Sequence, residues 1–76
     1  MTNKLKTLWE QHKAIVNAIN AGALHEDYQS DALEKLTDAY AEEYGVKVDW
    51  IPEDDDTMCR IDAFEHISEM MLEETA

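Results

Sequence analysis

The stretch Tyr44-Gly45-Val46-Lys47-Val48-Asp49-Trp50-Ile51-Pro52 decides the fold class. Gly45 is placed to end a helix in the left-handed conformation, where a residue without a Cβ meets no clash. After it, Val46, Val48 and Trp50 alternate with polar residues at period two, the pattern of a half-buried extended chain. A lone strand of this length has no ladder partner in the sequence and is not stable alone. The segment therefore reads as a connector that lays Val46, Val48 and Trp50 on a core built by helices. The expected fold class is all-α: a three-helix domain with an extended connector between helices 2 and 3.

Upstream of Gly45, the second helix runs back to about Asp27. Tyr28, Ala32, Leu33, Leu36, Ala39, Tyr40 and Tyr44 share one face. Its start is open between Asp27 and Ser30, since either can cap a helix. The first helix is expected from about Thr2 to Ala21, capped by Thr2 or Asn3 and ended by Gly22. Its residues Leu5, Leu8, Trp9, His12, Ile15, Val16 and Ile19 fall in an arc of roughly 120° at 100° per residue. Downstream, Pro52 closes the connector and Glu53-Asp54-Asp55-Asp56 follows. Asp56 or Thr57 is expected to cap a third helix that ends near Glu73, with Ile61, Phe64, Ile67, Met71 and Leu72 buried.

The chain has 76 residues, room for one domain spanning 1–76 and one modest core. Its net charge is −12, yet 45% of its residues are hydrophobic, which separates it from disordered acidic tails. Cys59 is the single cysteine, so no intrachain disulfide is available and a reducing, cytoplasmic setting is expected. The lysines near the N-terminus lack a following apolar run, so a signal peptide is not expected. No stretch approaches the roughly 18 apolar residues that span a bilayer. The sign of the charge disfavours direct binding to nucleic acid or to an anionic membrane, and points to a basic partner.

The charge is unevenly placed. Residues 1–23 hold three lysines against one glutamate, whereas 24–76 hold three basic against seventeen acidic residues. On the second helix Asp27, Asp31, Glu34, Asp38 and Glu42 fall within about 80°, opposite the apolar stripe. On the third, Asp62, Glu65, Glu69 and Glu73 do the same, and Glu53, Asp54, Asp55 and Asp56 lie between the two in sequence. Like charges at these spacings cost roughly 0.2–0.5 kcal/mol per pair. From Asp27 to Glu42 the row carries a charge per roughly 5 Å of helix, against one per about 3.4 Å along a DNA strand. Such rows can occupy a groove shaped for a phosphate backbone. Solubility, or adaptation to high salt, accounts for the same acidity without any partner.

Residues with chemical potential form no site. His12 lies inside the first helix's apolar arc and reads as a core histidine. His66, with Asp62 and Glu69 beside it on the helix, has the spacing of a weak metal site that surface helices show by chance. His25 carries no signal of its own. Reading Asp54 as the start of a calcium loop places Cys59 where glycine is required and Met58 at a ligand position. Cys59 has acidic neighbours that disfavour a thiolate. No catalytic residue, metal or cofactor is expected. Met58, Cys59 and Met70 fall off the expected core face, as does Tyr28 at its edge, which suggests a dimer seam or an apolar anchor beside the acids.

Length, acidity and Asp31-Ala32-Leu33 ahead of an acidic helix resemble acyl carrier proteins, whose attachment serine would stand at Ala32. The missing hydroxyl and the short first connection argue against that activity. In size and charge layout, with no shared motif, the chain is similar to the small acidic inhibitors of phages and mobile elements that imitate DNA. That resemblance implies a non-enzymatic inhibitor in the host cytoplasm whose carboxylates meet a basic nucleic-acid-binding protein. The contacts expected are Asp31, Glu34, Asp38, Glu42, Glu53, Asp54, Asp55, Asp56, Asp62, Glu65, Glu69 and Glu73. The alternative is a helical adaptor or homodimerisation module whose acidity serves solubility alone.

Overall fold

The computed structural model describes residues 2–75. Three helices, α1 (Asn3–Asn20), α2 (Asp27–Tyr44) and α3 (Arg60–Thr75), carry a two-stranded sheet, β1 (Lys47–Asp49) and β2 (Thr57–Cys59), between α2 and α3. The expected helical architecture and extended connector are present, but the connector is not a lone segment. β1 pairs with β2 in parallel, Val48 opposite Met58.

Local chemistry explains the helix ends. The Thr2 hydroxyl accepts the Leu5 N–H at 3.3 Å, satisfying one of the donors that the first turn leaves open. At the other end Gly22 adopts φ +78°. Its N–H donates to the Ile19 carbonyl, and the Ala23 N–H reaches back to Ala18 at 2.8 Å. Gly45 ends α2 in the same left-handed region, and the Val46 N–H donates to the Ala41 carbonyl. α2 begins at Asp27 without a side-chain cap from Glu26; the Asp27 N–H instead donates to His25 Nδ1. Ser30 is inside the helix.

The expected start of α3 at Asp56 or Thr57 is corrected. Thr57, Met58 and Cys59 are strand, and the helix begins at Arg60. Their partner was within reach because β1 spans only about 10 Å, a distance that the connecting residues 50–56 can retrace. Parallel strands usually need a far longer crossover. Asp54 tightens the return: its Oδ1 accepts the Asp56 N–H at 3.1 Å and the Thr57 hydroxyl at 2.8 Å.

Leu5, Leu36, Ala39, Tyr40, Ala63, Ile67 and Met71 make the buried core, with Leu8, Trp9, Val46, Val48, Met58, Phe64 and Met70 packed on it. Three expectations are revised. Ile61 and Leu72 are exposed rather than buried, and the core side of α3 runs through Ala63, Ile67 and Met71. The helix is turned by about 60° relative to the expected phase, because Arg60 points inward. Trp50 and Tyr44 are more exposed than their patterns suggested, and Met70 joins the core.

His12 is 4% exposed and its ring lies 4.8 Å from that of Phe64, where α1 meets α3. Its Nδ1 has no hydrogen-bond partner among the described residues. Burial lowers the imidazole pKa. The unfolded chain therefore takes up the proton first as pH falls. The stability this histidine supplies is complete above about pH 6.5 and declines below it. Urea unfolding at about pH 7.5 and 5.5 is expected to show a lower midpoint at the acidic value, and His12→Leu is expected to flatten that slope.

Candidate partner-binding surface

Helical periodicity delivers the two rows of carboxylates. Asp27, Asp31, Glu34, Asp38 and Glu42 are all exposed on α2, opposite Ala32, Leu36 and Ala39. Asp62, Glu65, Glu69 and Glu73 are all exposed on α3, opposite Ala63, Ile67 and Met71. Each row lies on the side of its helix turned from the shared core. They form one stripe on each helix.

The stripes differ in how much of their charge is already answered. On α2, the Arg60 guanidinium meets Asp38 Oδ1 at 2.8 Å, and Lys4 reaches across from α1 to Glu42 at 3.6 Å. At the start of the row, His25 Nδ1 lies 3.3 Å from the Asp27 carboxylate. That nitrogen also accepts the Asp27 N–H, and the contact is an ion pair only with a protonated ring. Asp31 and Glu34 carry no ion pair among the described residues. On α3 none of Asp62, Glu65, Glu69 and Glu73 is paired with a cation among the described residues. His66, within this row, instead sets its ring 6.0 Å from Tyr40. Glu53, Asp54, Asp55 and Asp56 are exposed, with Asp54 holding the turn described above.

Arg60 is the residue that sequence reasoning missed. Its side chain is 9% exposed, while that of Asp38 is 57% exposed. Nη1 donates to Thr37 Oγ1 at 2.6 Å and to the Glu34 carbonyl at 3.1 Å. Thr37, fully buried, donates its own hydroxyl to the Leu33 carbonyl at 2.9 Å. The Trp50 ring covers the guanidinium, with its centroid 5.8 Å from Cζ. Nε alone has no partner among the described residues. One signal was available: Arg60 is the sole arginine of an acidic chain, set between Cys59 and Ile61.

Among the described residues no three His, Cys, Asp or Glu side chains could hold a metal ion together. No helix among them is long and apolar enough to cross a membrane. The surface depressions are shallow; one of about 240 Å³ lies between α1 and α2, lined by Leu8, Gln11, Ile15, Tyr28, Asp31, Ala32 and Lys35. No family model, curated protein or solved structure matches this chain.

Removing Arg60 takes a hydrogen bond from the buried Thr37 hydroxyl and the ion pair from the half-exposed Asp38 carboxylate. Arg60→Ala is expected to cost about 2 kcal/mol, since Thr37 loses its donor and Asp38 its cation. Asp38→Ala is expected to cost about 1–2 kcal/mol, because the half-exposed carboxylate leaves a guanidinium still held by Thr37 and Glu34. Urea unfolding of both variants and of the double variant measures the coupling; strictly additive losses would refute it.

Proposed function

We propose that this protein is a non-enzymatic inhibitor that acts in the cytoplasm by occupying the nucleic-acid groove of a basic partner. The observation that carries the reading is the α3 row, four exposed carboxylates without an ion-pair partner among the described residues. They span about 16 Å of helix, roughly one charge per 5 Å. A row left unpaired at a cost to its own helix is ready to accept lysine and arginine from outside. Helical backbone fixes the carboxylate spacing, so a partner meets a charge array already in place, as it does on a duplex.

In this reading α3 and the acidic loop lead, with Asp31 and Glu34 in support. Asp38 and Glu42 contribute less because Arg60 and Lys4 already answer them. A role in countering host defence or restriction rests on the similarity of size and charge layout to acidic inhibitors of mobile elements. An adaptor role, with acidity for solubility, draws its support from the exposed Ile51 and Ile61. Self-association would bring copies of net charge −12 together and is the weaker form of that alternative.

Immobilised protein incubated with cell lysate is expected to retain nucleic-acid-binding proteins that duplex DNA or RNA displaces and that about 0.5 M NaCl elutes. Glu65→Lys with Glu69→Lys is expected to lower retention at least about tenfold with an unchanged circular dichroism spectrum. Retention indifferent to salt and to nucleic acid would favour the adaptor.

A further inference from the structure

The loop that joins the two parallel strands carries the most exposed large apolar side chain among the described residues. Ile51 is 79% exposed, and its neighbour Trp50 is 40% exposed. Exposed side chains of this size, adjacent in the chain, are expensive to leave in water. The base beneath them is fixed. The Trp50 ring lies against Arg60, the Trp50 backbone N–H donates to Asp49 Oδ1 at 2.7 Å, and the Trp50 backbone carbonyl accepts the Cys59 thiol at 3.7 Å. Trp50 and Ile51 therefore stand on a support that needs little further ordering on contact.

Charge decides what can meet them. Asp49 precedes the pair, and Glu53, Asp54, Asp55 and Asp56 follow it, all exposed. An acidic or neutral surface closing on Ile51 would desolvate these carboxylates without return, and a second copy would oppose its own acidic run. A surface with apolar side chains bordered by lysine or arginine satisfies both features at once.

We propose that Trp50 and Ile51 are an apolar docking point for a basic amphipathic segment of the partner, with the flanking carboxylates pairing its cations. The assignment rests on the reading of the protein as a ligand for a basic partner, and adds a component of binding that salt does not remove. Phosphate imitation by α3 alone contains no such component.

Two synthetic helical peptides of equal positive charge test it, one with leucine along one face and one with serine in those places. Each is titrated into the ¹⁵N-labelled full chain. The leucine peptide is expected to bind about tenfold more tightly and to shift the Trp50 indole and Ile51 amide signals. Ile51→Ser, at so exposed a position that the fold is retained, is expected to abolish that advantage and to leave the serine peptide's affinity unchanged. Equal affinities for the two peptides, an advantage that survives Ile51→Ser, or shifts centred on Ile61 and Leu72 would overturn the docking point while leaving the charge reading intact. Failure of both peptides to bind at about 20 mM NaCl would overturn the charge reading as well.

Discussion

Arg60 turned inward is the constraint on which the arrangement of this small protein depends. A guanidinium keeps its charge at any ordinary pH, so burying it requires acceptors on several sides. Here they come from α2 alone: a backbone carbonyl at Glu34, a hydroxyl at Thr37 and a carboxylate at Asp38. Because Arg60 is the first residue of α3 and follows β2 directly, that one side chain fixes three things. It sets the rotation of α3, the docking of the strand pair on α2, and the position of Trp50 above it. The exposure of Ile61 and Leu72 follows from the same rotation.

The phase of α3 in turn determines where its acids stand. With Ala63, Ile67 and Met71 toward the core, Asp62, Glu65, Glu69 and Glu73 are directed outward together. The cation responsible has its own charge answered within α2. The only arginine thus answers one carboxylate of the α2 row and leaves the α3 row without a cation among the described residues. The α2 row is a mixed surface by comparison, since Asp38 belongs to the Arg60 cluster and Glu42 is met by Lys4. Fewer of the carboxylates on α3 than on α2 are met by a cation among the described residues.

What was legible in the sequence was whatever depends on neighbours in the chain. Leu5 and His12 at helical spacing, the Thr2 cap and the left-handed glycines at Gly22 and Gly45 were all readable, because each is settled within a turn or two. The strand pair was not. Met58 and Cys59 sit beside a strong helical pattern, and only a contact with Val48 and Asp49 makes them extended. The inward turn of Arg60 escaped for the same reason: its partners lie more than twenty positions away. In the candidate surface, the exposed position of each carboxylate followed from periodicity. Which of them would be occupied by Arg60, Lys4 or the turn at Asp54 required knowing how the elements meet.

The brevity of the crossover has a kinetic consequence. Parallel pairing is normally slow because distant strands must find each other before any contact rewards the search. In this chain Val48 and Met58 are ten positions apart, so the strands have little chain to search. The pair delivers Arg60, the next residue, to Glu34, Thr37 and Asp38 of α2. The longer search is that of α1, whose Leu5 fills the core and whose Trp9 and His12 meet Phe64 across more than fifty positions.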